Sequence, residues 1–101
     1  MVWYAGRMET NEISLHQVRV YRFVWEMKDW VTNAEIARGA AVAARTARLH
    51  TRRFVAAGLF DQIELFPGHS FRIAAKPESR NKAYALRLAQ AAEAFGLELS
   101  V

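Results

Sequence analysis

The hydrophobic period of this sequence changes twice along the chain, and this change most limits the possible folds. Residues 15–29 contain no Gly or Pro, and their apolar residues recur at helical spacing. From residue 60 to 73 the period becomes two, on either side of a Pro-Gly pair at 67–68, which predicts a β-hairpin. Residues 79–95 return to helical spacing. The pattern therefore predicts an α+β fold that is mostly helical and contains one hairpin.

Two further helices are predicted between the first helix and the hairpin. Thr32 followed by Glu35 has the form of a capping box, so a short helix is expected over residues 33–40. A third helix is expected over residues 44–57, with Gly58 placed to end it in the left-handed conformation. The sequence thus predicts a three-helix core, a hairpin and an additional C-terminal helix.

The length of 101 residues and the hydrophobic content of 52% suit one domain with a packed core. We divide the chain into an N-terminal arm at 1–12, a core domain at 13–76 and a C-terminal helical segment at 77–101. The arm contains Trp3 and Tyr4 but shows no clear period. The first helix is apolar on more than one side, so we expect it to meet the C-terminal helix or a second copy of the chain.

Positive charge is concentrated in the middle of the chain. Basic residues outnumber acidic ones by 14 to 10, which gives a net charge of +4. Residues 36–60 contain no Asp or Glu. The same stretch holds Arg38, Arg45, Arg48, Arg52 and Arg53. This distribution favours an anionic partner.

The third predicted helix divides into two faces of different chemistry. Helical spacing places Arg45, Arg48 and Arg52 on one face. Ala47, Thr51 and Phe54 fall on the other face, which is small and apolar enough to be buried. We therefore expect the arginine face to point outward.

The order of these elements resembles the winged helix-turn-helix family of bacterial DNA-binding proteins. The resemblance covers residues 15–73, including a short extended stretch at 30–32. It depends on TNAEIA at residues 32–37, VAARTA at 42–47 and FVAAGL at 54–59. These segments correspond to a capped second helix, the start of the recognition helix and the end that leads into the wing.

The sequence departs from the family pattern in the turn before the recognition helix. Ala41 stands where the family usually has the glycine of the turn, and Gly39 lies two residues earlier. A turn of different shape is therefore expected. Ala43 stands where Ser or Thr usually caps the recognition helix, and an alanine cap costs about 1 kcal/mol of helix stability.

The resemblance implies that the third helix enters the major groove of duplex DNA. An Arg guanidinium can donate two hydrogen bonds to O6 and N7 of guanine, so Arg45 and Arg48 are predicted to contact base edges. Leu49 is predicted to meet a thymine methyl group. Thr46 is predicted to meet a phosphate.

Other residues are predicted to contact the DNA backbone. Arg52 and Arg53 lie nearer the end of the helix and are expected to bind phosphates. By the resemblance, the start of the second helix also touches the backbone, so Thr32 and Asn33 are candidates, aided by the helix N-terminus. Arg38 would add a further positive charge.

The tip of the hairpin offers a second set of contacts. His69, Ser70 and Arg72 are predicted to reach an adjacent minor groove or phosphate, with a modest contribution because the hairpin is short. Asp61 and Glu64 on the same hairpin would repel phosphate, so we expect both to face away from DNA.

Several other classes of function are disfavoured by the sequence. The chain has no cysteine, and His16, His50 and His69 lie far apart without carboxylates at ligand spacing, so no metal or cofactor is predicted. His50 is expected near the surface, beside the recognition face, where it could meet a phosphate. No catalytic motif or glycine-rich phosphate loop occurs, so an enzyme is not expected.

Membrane and ligand partners are also not expected. No apolar stretch approaches the roughly 20 residues that span a bilayer, so we expect a cytoplasmic protein. No small-molecule ligand is evident. The aromatic residues are expected to form core instead of a platform for single-stranded bases. They are Trp3, Trp25, Trp30, Phe60 and Phe66.

The sequence leaves three functions open. The leading one is a small transcriptional regulator that binds a two-fold DNA site as a homodimer. A winged-helix module that docks on another protein is the second, with the arginine face meeting an acidic surface. The third is a DNA-binding accessory in replication, recombination or packaging of a mobile element.

Overall fold

The computed structural model describes residues 13–66, 69–76, 81–97 and 99. Within them lie four helices and two strands in the predicted order. They are α1 (Leu15–Met27), α2 (Asn33–Ala40), α3 (Ala44–Ala56), β1 (Phe60–Phe66), β2 (His69–Ala75) and α4 (Lys82–Ala94). The arm at 1–12, with Trp3 and Tyr4, lies outside the described residues, and the division of the chain into three segments stays a prediction. The α+β fold with a late hairpin is confirmed.

Polar side chains define the starts of the first two helices. The Thr32 hydroxyl accepts the Glu35 backbone N–H at 3.1 Å, and the Glu35 carboxylate accepts the Thr32 backbone N–H at 2.9 Å. The predicted capping box is therefore confirmed. Ser14 and Gln17 form the same reciprocal pair at the start of α1. That second capping box shows the same spacing but was not identified from the sequence.

The turn between α2 and α3 is built around an alanine in the left-handed conformation. Ala41 has φ 58° and ψ 48°, and its N–H donates to the carbonyl oxygen of Arg38. For a residue with a Cβ this conformation costs roughly 1–2 kcal/mol. The left-handed residue of the turn is therefore Ala41, at the position where the family usually has glycine.

Gly39 serves the packing of α2 instead of the turn. A Cβ at this position would overlap the aromatic ring of Phe23 on α1. The absence of a side chain at Gly39 therefore lets these two helices approach closely.

Replacement of Gly39 by alanine is expected to destabilise the fold by about 1–3 kcal/mol, because the new methyl group overpacks the contact with Phe23. Without that contact the same change inside a helix would stabilise by roughly 0.5–1 kcal/mol, so the sign is informative. Urea unfolding followed by circular dichroism gives the free energy of unfolding. The double variant Gly39→Ala, Phe23→Ala should be more stable than Phe23→Ala alone, because the new methyl group no longer meets the aromatic ring. A Gly39→Ala protein more stable than the parent would contradict the packing.

The hairpin is joined to the helical part by an additional short pairing. β1 and β2 are antiparallel, with Phe60 opposite Ala75 at one end. Val31 forms an isolated bridge with Ile73, and the two residues exchange backbone hydrogen bonds of 2.8 Å. The extended stretch predicted at 30–32 is confirmed as this one bridge. It ties the segment between α1 and α2 to the base of the hairpin.

The core lies where the helices meet the hairpin. Phe54 of α3 is fully buried, and its ring lies 5.6 Å from Tyr21, 5.1 Å from Phe60 and 5.7 Å from Tyr84, between ring centroids. Leu88 of α4 is also buried. One residue on α3 therefore contacts side chains from α1, β1 and α4.

The predicted meeting of α1 with the C-terminal helix is confirmed. The Gln17 amide on α1 donates to the hydroxyl of Tyr84 on α4 at 3.3 Å. Of the aromatic residues expected in the core, Phe60 is buried and Trp25 is half-buried. Trp30 is 41% exposed, so its assignment to the core is wrong. Its indole lies on the opposite side of the chain from the buried Val31, as alternation along an extended segment requires.

Candidate nucleic-acid interface

The two faces of α3 point as the sequence predicts. Ala47, Thr51 and Phe54 are buried against the core. Arg45, Arg48 and Arg52 are exposed on the opposite side. This orientation follows from the burial of the apolar face and from the cost of removing guanidinium groups from water. The result is a helix with three outward arginines on a rigid, well-packed support.

The surroundings of this helix also carry positive charge. Arg53 and Arg38 are exposed, and Leu49 is 39% exposed between the arginines. Thr46 is half-buried. Since residues 36–60 contain no acidic side chain, no carboxylate on α3 or in the turn before it offsets this charge.

The start of α2 has less freedom than the sequence suggests. The Thr32 hydroxyl oxygen already accepts the Glu35 N–H, so only the hydroxyl hydrogen remains for an external acceptor. Asn33 is half-buried, and its Oδ1 is buried without a hydrogen-bond partner among the described residues. Toward a phosphate, these side chains can therefore offer only their hydrogen-bond donors.

The beginning of α3 has no side-chain cap. Ala43 occupies the N-cap position with φ −66° and ψ 150°, and makes no capping hydrogen bond. The expected departure from the family pattern is confirmed. The first turn of α3, which holds Arg45, is therefore held mainly by packing of the following turn.

The hairpin presents different residues on its two faces. Arg72 is opposite Ile63, and Asp61 is two residues from Ile63 on the same strand, so all three lie on one face. Glu64 is opposite Phe71 on the other face. Asp61 and Glu64 therefore lie on opposite faces of the hairpin, and their orientation relative to DNA stays a prediction.

The rest of the hairpin set is only partly described. Lys76 lies 3.5 Å from the Asp61 carboxylate and reduces its negative charge toward a neighbour. His69 and Ser70 are residues of β2, but the structure describes only their backbone and not their side chains. The contacts predicted for them stay predictions.

His50 is not beside the arginine face, and the expectation that it could meet a phosphate is wrong. It is only 8% exposed, and its Nδ1 is buried without a hydrogen-bond partner in the described part of the chain. Burial lowers the pKa of His50 below its ordinary 6.5, and the positive charges of Arg53 and His16 lower that pKa further. The signal was present, because His50 is three residues after Ala47 and four before Phe54 on the buried face.

Acidification is expected to destabilise the fold through His50. Its pKa is lowered in the folded state, so below about pH 6.5 the unfolded chain binds a proton that the folded chain resists. Stability is therefore full above that pH and falls as the pH drops below it. The His50→Leu variant should lose less stability between pH 7.5 and 5 than the parent, measured by thermal unfolding at each pH. Equal losses in the two proteins would contradict this role.

Other kinds of site were not found in the described part of the chain. Across residues 13–66, 69–76, 81–97 and 99, no group of three His, Asp or Glu side chains could hold a metal ion. No helix within the same ranges is long and apolar enough to cross a membrane.

A capped α2, a left-handed turn, an outward basic α3 and a hairpin joined to the preceding segment define a winged helix-turn-helix domain. Solved structures share this fold. The MarR family transcriptional regulator SPO1453 from Silicibacter pomeroyi superposes with a TM-score of 0.58 at 15% identity, covering 92% of this chain and 64% of that one.

Two further structures agree. A second MarR family regulator from Silicibacter pomeroyi has a TM-score of 0.58 at 19% identity, covering 89% of this chain and 62% of that one. The transcriptional regulator Tm0710 from Thermotoga maritima has a TM-score of 0.54 at 13% identity, covering 89% and 61%. The chain thus spans less than two thirds of the length of these proteins. No family model and no curated protein matches the sequence.

Proposed function

We propose that this protein binds duplex DNA in a sequence-specific manner as a small transcriptional regulator, with α3 in the major groove. One observation carries the proposal. The arginines of α3 are exposed on the face opposite its buried stripe, in a fold that is also found in structures named as transcriptional regulators. A major groove about 12 Å wide admits such a helix.

The proposed contacts divide by chemistry. Arg45 and Arg48 contact guanine edges from the first half of α3, and the exposed Leu49 contacts a thymine methyl group. Thr46 donates to a phosphate. Specificity then comes chiefly from the two arginines, because bidentate hydrogen bonds distinguish bases and phosphate contacts do not.

The remaining basic residues position the protein on the backbone. Arg52 and Arg53 bind phosphates beside the groove, with Arg38 adding charge from α2. Thr32 and Asn33 approach a phosphate from the start of α2. In the wing, Arg72 reaches the neighbouring backbone together with His69 and Ser70. These contacts set affinity and register.

A homodimer acting in the cytoplasm fits this function. On α4, Leu86 is 58% exposed, and Phe95 at its end is 44% exposed, so both offer apolar surface to a second copy. Two recognition helices about 34–36 Å apart would read two half-sites and double the contact. Sedimentation velocity over a concentration series tests this part. An interface through α4 would be contradicted if the protein is a monomer at every concentration but still forms a two-fold complex on DNA.

The DNA proposal is tested by a titration in salt. Duplexes selected from a random pool are labelled, and their binding is followed by fluorescence anisotropy at several salt concentrations. We expect log affinity to fall linearly with log salt, with a slope of about −0.9 for each phosphate neutralised. Selection should also return a common sequence. No duplex binding at about 50 mM salt, where such contacts are strong, would overturn the proposal.

A further inference from the structure

A cavity lies between the end of α1, the segment that follows it and the hairpin. Its volume is about 500 Å³. It is lined by Trp25, Lys28, Asp29, Trp30, Asp61, Ala74 and Ala75. This volume falls within the roughly 300–1,000 Å³ of small-molecule sites. None of the lining residues belongs to the arginine face of α3.

The topology explains why these residues meet. Asp61 and Ala74 are partners in the hairpin register and share its outer face. Val31 pairs with Ile73 on the core side, so the neighbouring Trp30 is turned to the same outer face. The end of α1 closes the cavity with Trp25, whose ring stacks on Tyr21 at 6.0 Å between centroids. Ala74 and Ala75 of β2 contribute only small side chains to the lining.

The lining favours an aromatic guest over an aliphatic one. Indole rings offer flat faces for stacking, and Trp30 keeps 41% of its surface exposed although it is large and apolar. The exposed Trp30, in a lining that also contains Trp25 and two alanines, leaves apolar surface that a planar molecule would cover.

The two indole faces of the lining favour a positively charged guest. Two carboxylates, from Asp29 and Asp61, and one ammonium group, from Lys28, border the cavity, and the Lys76 ammonium lies 3.5 Å from the Asp61 carboxylate. One Asp29 oxygen accepts the Trp30 backbone N–H at 2.7 Å, which holds that carboxylate at the rim. Indole faces also attract cations through their quadrupole. The indole faces therefore select a cation, and the Asp29 and Asp61 carboxylates are the partners available for its charge.

From these observations we propose that the cavity binds a planar aromatic molecule that carries a positively charged amine. The ring lies against Trp25 and Trp30, and the amine faces Asp29 and Asp61. Binding needs no part of the arginine face, so the site stands whether or not the protein binds DNA.

A regulatory consequence follows, and it rests on the proposed DNA-binding function. Trp30 is adjacent to Val31, whose 2.8 Å hydrogen bonds to Ile73 join the α1–α2 segment to the hairpin. Thr32, the cap of α2, is the next residue. A guest bound between Trp30 and β2 therefore acts on the Val31–Ile73 pairing, which fixes the position of the hairpin relative to α2.

The site is tested with phenyltrimethylammonium as the probe and benzoate as its negatively charged counterpart. Calorimetric titration of the full chain should give saturable binding of the cation in the millimolar range or tighter, with benzoate at least about tenfold weaker. The indole N–H signals of Trp25 and Trp30 should shift in proportion to occupancy. Absence of saturable cation binding, or equal binding of benzoate, would overturn the site.

Variants locate the binding. Trp30→Ala and Asp61→Asn should each lower affinity for the cation about tenfold, since each removes one element of recognition. Gln62→Ala is the matched control, because Gln62 is the neighbour of Asp61 on the opposite face of the hairpin, and it should bind like the parent. Trp30→Phe, which keeps an aromatic wall, should restore most of the binding. Parent-like affinity in both Trp30→Ala and Asp61→Asn would overturn the assignment.

A separate measurement tests the regulatory consequence. Saturating phenyltrimethylammonium should change duplex affinity of the parent by about fivefold or more, and should leave Trp30→Ala unaffected. A bound probe with unchanged duplex affinity would overturn the coupling and leave the site intact. If the DNA proposal is wrong, the protein binds no duplex with or without the probe, while calorimetry still shows that the probe binds.

Discussion

Replacement of Arg48 by alanine is expected to lower affinity for the selected duplex by about 1–3 kcal/mol and to relax preference at the base pair that Arg48 contacts. Arg48 lies at the centre of the outward stripe, one turn from Arg45 and one turn from Arg52. Its removal also leaves a guanine edge without its donors. Anisotropy titrations with the selected duplex and with single-substitution duplexes measure both effects.

Two other variants serve as controls for Arg48→Ala. Arg52→Ala should weaken all duplexes alike and reduce the salt slope by about one, because a phosphate contact carries no sequence information. Arg87→Ala removes the same charge from α4, where the guanidinium lies 5.4 Å from the Tyr84 ring centroid. It should change duplex affinity least. If Arg87→Ala costs as much as Arg48→Ala, general charge and not the α3 face explains the binding.

Replacement of Phe54 by alanine is expected to destabilise the domain by about 3–5 kcal/mol. The ring is fully buried and contacts Tyr21, Phe60 and Tyr84, so the cavity left behind borders three elements at once. That loss is large against the total of about 5–15 kcal/mol for a domain. Urea unfolding followed by circular dichroism is the measurement.

A residue on the same helix controls for helix propensity. Leu49 is 39% exposed, so Leu49→Ala should change the free energy of unfolding by no more than about 0.5 kcal/mol. Phe54→Leu should fall between the parent and Phe54→Ala, because it keeps most of the buried volume. A Phe54→Ala loss no larger than that of Leu49→Ala would show that α3 is not anchored through this ring.

The two expectations are linked through α3. Phe54 and its buried neighbours decide the direction in which Arg45 and Arg48 point, because both sets share one rigid helix. The uncapped start at Ala43 adds little support of its own. Packing at the end of α3 therefore holds the residues proposed to read DNA at its beginning.

Much of this arrangement could be predicted locally. Thr32 and Glu35 predict the start of α2 because a capping box needs only four consecutive residues. Gly58 takes the predicted left-handed conformation, with φ 83°. The outward direction of Arg48 follows from its spacing to Phe54. Each of these depends on neighbours within one or two helical turns.

Other features were mispredicted because they depend on distant segments. The requirement for Gly39 comes from Phe23 on a different helix, and the turn glycine that the family pattern places at 41 is replaced by a strained alanine. No local spacing encodes these contacts.

The amino-acid sequence by itself determined the helices, the hairpin and the basic face of α3, because caps, turn residues and hydrophobic period act over a few residues. Tertiary structure alone decided the exposure of Trp30, the contact with Phe23 that requires Gly39 and the cavity between α1 and the hairpin. These depend on which segments meet after folding. The hairpin and the end of α1 are far apart in sequence, and they become neighbours only when the core they share is formed.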